Sequence, residues 1–475
     1  MFRIANIEAR VIRMETRIPF RFGITEMTET PHVVVQVEVE SEGRTKSGWA
    51  SEHMLPKWFT KDPQSAVVDD IVDMVQVIDH AIGIARGKHA SSAFDLWWGI
   101  NEEQARWAEN SGIPGLLAGL GTALVERAVI DAVCRLLSTP FDRAIRTGVL
   151  GFDASRVHPE LSHHPSLMAF PPRSASTMRV RHTIGLSDPL TPAEVANDPS
   201  DGLPVSLEAV IQRYGVSHFK IKTAGDLNAD LSRLRRIFDL THRLGVDAWF
   251  TIDGNESMTT VDDFESWAKG LMADPNLSSV LRERLIAVEQ PFHRSVAMKP
   301  EIGAGLRRSD FPVIIDESDD TVIAVRSAMD LGYAGGTYKG CKGVFRGLAN
   351  AALVRYRGSS TRTIITAEDL STVPPLTVQQ DLVVSSVMGL SHIERNGHHY
   401  FGQVAPLDSE IESTLAARHP DAFARGSDGR VRLTVRDGHI ALASMLAAPF
   451  GVEANFDLGA LAPLTPETAI RGMAQ

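Results

Sequence analysis

Eight apolar, β-prone stretches recur between residue 179 and about residue 403, and helical stretches separate most of them. They read "RVRHTIGLS", "HFKIKTAG", "AWFTIDGNE", "LIAVEQP", "PVIIDES", "GGTYKG", "RTIITAED" and "SHIERNG". Between them lie runs such as "LNADLSRLRRIFDLTHRLG" and "GVFRGLANAALVRYRG", with helical spacing of apolar residues. Strands joined by helical crossovers form parallel sheets. Eight units over this span match a (β/α)₈ barrel, typically about 250 residues. An open doubly wound sheet is the alternative, but no glycine-rich dinucleotide fingerprint follows the first strand.

The rest of the chain arranges itself around that block. Residues 1–150 read as an α+β domain: alternating "RIANIEARVIRM" and "HVVVQVEVES", then helical "SAVVDDIVDMVQVIDHAIG" and "GTALVERAVIDAVCRLL". Residues 151–178, rich in Pro, Ser and His, read as an irregular connector. The barrel occupies 179–403, and 404–475 is a C-terminal segment expected to pack back on the first domain. The expected fold class is α/β, a modified (β/α)₈ barrel with an N-terminal α+β domain.

A net charge of −11, without basic blocks, disfavours nucleic acid and anionic membranes as partners. Only Cys134 and Cys341 occur, far apart and in no metal-ligand spacing, which suits a reducing compartment. The N-terminus lacks the apolar core of a secretory signal, and no stretch is apolar enough to span a bilayer. A cytoplasmic protein is the expectation.

Barrel chemistry sits at the C-terminal ends of the strands. Five consecutive strands here end in ionisable residues: Lys220 and Lys222, then Asp253 with Asn255, Glu289, Asp316 with Glu317, and Lys339. One such acid would be a helix cap; three on successive strands converge and repel unless a positive charge lies between them. Asp253, Glu289 and Asp316 are therefore candidate ligands for a hard cation, Mg²⁺ or alternatively Mn²⁺. A salt-bridge network with the lysines is the competing explanation. Lys220 and Lys222 share a strand face, so each disfavours the other's protonated form. Lys222 and Lys339 would face each other across the metal as acid and base, with Lys220 tuning Lys222.

The set "KIK", "DGN", "EQP", "DES" and "KGCKG", in this order and spacing, resembles the enolase superfamily, specifically its muconate lactonizing enzyme subgroup. The resemblance spans most of the chain, and makes the first domain a cap over the barrel mouth. It implies Lys222 and Lys339 as the acid/base pair, Lys220 as their auxiliary, and Asp253, Glu289 and Asp316 as Mg²⁺ ligands. Asn255 and Glu317 match polar groups supporting the metal. The strand-seven end "ITAEDLST" lacks the histidine of the mandelate racemase subgroup.

Two departures stand out. Gly343 is followed by Val344, where the family usually has a second glycine, and strand eight reads "HIERNGHHYF" instead of the Asp-x-Asp of dipeptide epimerases. Glu368 reads as a substrate-side acid or a helix cap. Glu394 and Arg395 read as a surface pair, Cys341 as a small core residue, and His392, His398 and His399 as lacking ligand spacing. The "RFGITEMTET" and "ASEHMLPKWF" loops, with Arg21, His53 and Trp58, are expected to close over the mouth.

The expected function is an Mg²⁺-dependent racemase or epimerase that removes the proton α to a small-molecule carboxylate through an enediolate. A lyase or cycloisomerase, like muconate cycloisomerase or o-succinylbenzoate synthase, shares that first step. A non-catalytic metal-bound scaffold is the third reading. The resemblance also implies a symmetric homo-oligomer.

Overall fold

The computed structural model describes residues 1–22, 25–164, 170–358 and 362–471. Two long strands open the chain, β1 (Phe2–Phe22) and β2 (Thr25–Ser41), and β3 (Arg44–His53) completes an antiparallel sheet with them. The expected "RFGITEMTET" loop is thus largely the tip of a β1–β2 hairpin, pairing Arg21 with Glu26; its residues 23–24 lie outside the described residues. Three helices, α1 (Val67–Ala85), α2 (Ala93–Ser111) and α3 (Gly115–Leu136), follow.

α3 is buried over most of its length between the sheet and the barrel. Two glycines allow its close packing. A Cβ on Gly48 would lie 2.2 Å from the Ala132 nitrogen, and one on Gly121 would lie 2.2 Å from the Val77 carbonyl. α3 also reaches the barrel: Glu126 accepts from the backbone N–H groups of Val344 (3.0 Å) and Phe345 (2.7 Å). These open the helix Val344–Arg357, so the carboxylate satisfies donors that a helix N-terminus leaves free. Gly343 just before them has φ +111°, which only glycine adopts without strain. The Gly-Val departure therefore places a flexible residue at the bend and a buried apolar one at the first helical position.

Eight strands form the curled parallel sheet of the barrel: β4 (Thr177–Ile184), β5 (His218–Lys222), β6 (Trp249–Asp253), β7 (Leu285–Glu289), β8 (Val313–Ile315), β9 (Gly335–Lys339), β10 (Ile364–Glu368) and β11 (His392–Glu394). The ladder runs β10-β9-β8-β7-β6-β5-β4-β11, and β10 and β11 lie side by side to complete the ring. Register is direct: Lys222 lies opposite Asp253, and Asp253 opposite Glu289. Successive strand ends thus stand level, which carries their side chains to one mouth.

The 151–178 segment contains short turns at Ala154–Val157 and Pro159–Leu161, and its residues 165–169 lie outside the described residues. In the tail, Ala462–Pro463 pairs with β1, and His439–Ala441 pairs with β4 of the barrel. No helix among the described residues is long and apolar enough to cross a membrane.

Candidate active site

The strand-end residues meet in a buried ladder of alternating charge. Lys220 Nζ donates to Glu368 Oε2 (2.6 Å), Glu289 Oε1 (2.7 Å) and Glu394 Oε2 (3.2 Å), with Asp253 Oδ2 at 3.0 Å. Lys222 donates to Asp253 Oδ2 (2.6 Å) and Asn255 Oδ1 (2.9 Å). Lys339 donates to Asp316 Oδ2 (2.8 Å) and lies 3.2 Å from Glu368 Oε2. Lys342 donates to Asp316 Oδ1 (2.8 Å) and to the Asp316 carbonyl (2.7 Å).

Protonation follows from burial and these partners. Burial opposes the Lys220 charge, but Asp253, Glu289, Glu368 and Glu394 outweigh it and hold its pKa well above the usual lysine range. Lys339 is also raised, burial being overcome by Asp316 and Glu368. Burial resists ionisation of Glu368, but Lys220, Lys339 and Arg181 hold it well below the ordinary range. Glu289 moves the opposite way, pushed up by burial and by Glu368. Burial, with Asp316, Glu256 and Asp253 nearby, raises Glu317 to about 7. The four surrounding carboxylates, more than the neighbouring Lys222, thus set the electrostatics of Lys220.

Glu289, Asp316 and Glu368 each offer an oxygen within 4.8 Å of the others, the one such group of His, Cys, Asp or Glu among the described residues. Glu289 Oε2 is buried without a hydrogen-bond partner. Hard oxygen donors, one of them unpartnered, fit a divalent cation such as Mg²⁺. Of the expected ligands, Glu289 and Asp316 are in this trio. Asp253 stands beside it, paired with the lysine directly across the β5–β6 ladder. Asn255 joins that pair, and its backbone N–H donates to Asp253 Oδ1 (2.8 Å).

Lys220, Lys222 and Lys339 line one cavity of about 30 Å³, roofed by Phe20, Leu55 and Trp58 of the N-terminal domain. The Trp58 ring centroid lies 4.6 Å from Lys339 Nζ. A cavity of about 1250 Å³ lies elsewhere, between the N-terminal sheet and the tail, and touches none of the strand-end acids.

Several residues differ from their sequence reading. Glu394 and Arg395 are buried, not a surface pair, because the N-terminal domain covers this strand end. Glu394 accepts from Thr183, Lys220 and Asn396, while Arg395 pairs with Asp369. Glu368 caps nothing and instead bridges three cations. Cys341 is buried. His392 turns to Arg181, His398 and His399 pack around His182, and His53 packs against His32. Arg21 is exposed.

Arg181 belongs to no motif in the sequence, yet it donates to Glu368 Oε1 (2.7 Å) from the barrel interior. Its signal was an arginine at an inward position of an apolar strand. Gln290 carries no role in the sequence beyond its place in "EQP". Its Oε1 accepts from the backbone N–H groups of Asp316 (2.8 Å) and Ser318 (3.1 Å), bracing the neighbouring strand end.

No protein-family model and no curated protein matches the chain. Solved structures do. A mandelate racemase/muconate lactonizing protein from Herpetosiphon aurantiacus is 19% identical, with a TM-score of 0.61 over 95% of this chain and 98% of that one. Muconate lactonizing enzyme from Pseudomonas fluorescens, complexed with muconolactone, is 15% identical, with a TM-score of 0.58 and 96% of each chain covered. The chain has the fold of the mandelate racemase/muconate lactonizing proteins. A dipeptide epimerase from Enterococcus faecalis, complexed with Mg and the dipeptide L-Leu-L-Tyr, shares it at 12% identity, with a TM-score of 0.59 over 95% of this chain and 100% of that one. In this mandelate racemase/muconate lactonizing fold, the lysines and acids read from the sequence fall at one barrel mouth under the N-terminal domain.

Proposed function

We propose that the protein is an isomerase, a racemase or epimerase, that removes and returns the proton α to a substrate carboxylate. The observation that carries this reading is the pair Lys222 and Lys339, two amines on one cavity, flanking the acids on the intervening strands. A base and an acid on opposite sides of one carbon give proton loss on one face and return on the other. The strand-end carboxylates, Glu289 and Asp316 among them, would hold a divalent cation, Mg²⁺ or Mn²⁺, which would supply positive charge to offset the developing carbanion.

The chain's own groups do the rest. Lys222, held by Asp253 and Asn255, moves a proton at one end of the ladder, and Lys339, held by Asp316, at the other. Lys220 links the acids between them. Phe20, Leu55 and Trp58 cover the lysines with apolar side chains from above. The cavity's own acids are engaged, Glu394 with Lys220 and Asp369 with Arg395, which supports a substrate whose substituent is uncharged.

One feature favours a second reading, cycloisomerisation or elimination with a single base. The Trp58 ring over Lys339 stabilises its ammonium form, suiting it to act as a fixed cation beside the enolate while Lys222 takes the proton. Incubating a panel of α-substituted carboxylates with the protein and Mg²⁺ in D₂O tests both readings together. Deuterium at the α-carbon with loss of optical activity marks the racemase, and a rearranged or eliminated product marks the alternative. No exchange across the panel counts against both.

A further inference from the structure

The segment carrying Trp58 crosses the barrel mouth as a strap, and two cations fasten it. Arg294 follows the β7 end, and its guanidinium clasps Glu256 through Nε to Oε1 (2.8 Å) and Nη2 to Oε2 (2.9 Å). Its remaining donors point into the strap: Nη1 to the Phe59 carbonyl (2.8 Å) and Nη2 to the Trp58 carbonyl (2.9 Å). From the strap, Lys61 returns to the same turn, donating to the Asn255 carbonyl and lying 3.2 Å from Glu256 Oε2. Glu256 is 4% exposed, so its charge relies on these two cations.

The turn being clasped belongs to the site. Asn255 and Glu256 have φ of +48° and +59°, a conformation uncommon outside glycine, and Asn255 Oδ1 accepts from Lys222. The cavity beneath the strap holds about 30 Å³. A single water needs at least about 10–15 Å³ measured this way, so the space directly under the strap is small and Trp58 sets its ceiling.

We propose that Arg294 is a positioning residue that clasps the 58–61 strap to the barrel through Glu256 and so holds Trp58 over Lys339. The proposal rests on the function above only in taking this cavity as the substrate site. Arg294 touches no reacting atom; it sets where Trp58 lies relative to Lys339.

The test reads Trp58 directly. The chain has seven tryptophans, so the Trp58 signal is the fluorescence that Trp58→Phe removes. With Trp58 7% exposed, acrylamide quenches that component weakly in the wild type. Arg294→Met is expected to raise its quenching constant about threefold or more, and Lys61→Met about twofold, as the strap spends more time open. With any carboxylate that is turned over, Arg294→Met should lower kcat by about tenfold while KM moves less than about threefold, because the ring that fixes Lys339 is then loosely held. If Arg294→Met does not fold, Lys61→Met carries the quenching measurement. Wild-type quenching in every variant that folds overturns the proposal. The quenching needs no substrate, so a chain inactive on every carboxylate would sink the isomerase reading and still report on the strap.

Discussion

Lys220 Nζ and Glu368 Oε2 lie 2.6 Å apart with neither side chain open to solvent, and this pair joins the two halves of the site. From Lys220 the network runs through Asp253 to Lys222, and from Glu368 it runs to Lys339 and Arg181. The two candidate acid/base lysines are therefore linked through one buried contact, and a change at either end alters the electrostatics of the other.

Glu368→Gln should be strongly destabilising, since it leaves Lys220, Lys339 and Arg181 short of a buried counter-charge. Breaking a buried pair from one side costs about 3–5 kcal/mol. Urea denaturation checks this, and a loss below about 1 kcal/mol would show that Glu289 and Asp316 alone satisfy the three cations.

How much of this could be read from the chain depends on the range of each interaction. Lys220, Lys222, Asp253, Glu289, Asp316 and Lys339 follow apolar strands at β/α spacing, so their convergence was legible once the barrel was. The N-terminal sheet was legible from period-two alternation for the same local reason. Arg181, Arg294 and Lys61 were not, because their partners Glu368, Glu256 and the Asn255 carbonyl come from other strands or the other domain. Nothing local marks an arginine as buried. Glu394 and Arg395 look like surface residues in the sequence for that reason: burial there comes from Phe20, Leu55 and Trp58, more than about 330 residues away in the chain.

Metal binding is expected to appear as stabilisation. Mg²⁺ at 100 times its Kd should add about 2.7 kcal/mol to unfolding, seen as a rise in melting temperature that Glu289→Gln removes. Asp253→Asn and Glu368→Gln tell two ligand sets apart. Asp253 and Glu368 both pair with Lys220, but Asp253 has one further cation, Lys222, whereas Glu368 has two, Lys339 and Arg181. Asp253→Asn should therefore abolish the Mg²⁺ shift and Glu368→Gln only weaken it. The reverse outcome would assign the metal to Glu289, Asp316 and Glu368.

Stability should also fall with pH through Glu126, which joins α3 to the barrel. Burial raises its pKa to about 7, with the Phe345 and Val344 N–H groups opposing. The unfolded group titrates near 4.5, so between these values the folded chain keeps a proton that the unfolded chain has lost. Its contribution is full below about pH 4.5 and is lost as pH rises through 7, about 3 kcal/mol at most. Unfolding measured from pH 5 to 8 in the wild type and in Glu126→Gln should differ by this slope. Parallel curves would mean that Glu126 stays ionised throughout.

The central claim, two lysines serving opposite faces of one carbon, is tested most directly by α-proton exchange in D₂O with the single variants Lys222→Ala and Lys339→Ala. The substrate is whichever carboxylate the wild type turns over, supplied as separate enantiomers. A two-base isomerase loses racemisation in both variants, yet each variant still exchanges the proton of one enantiomer, and the two prefer opposite hands. Exchange that survives in only one variant, with no opposite-handed preference, would contradict the claim and leave a single base with the other lysine as a fixed cation.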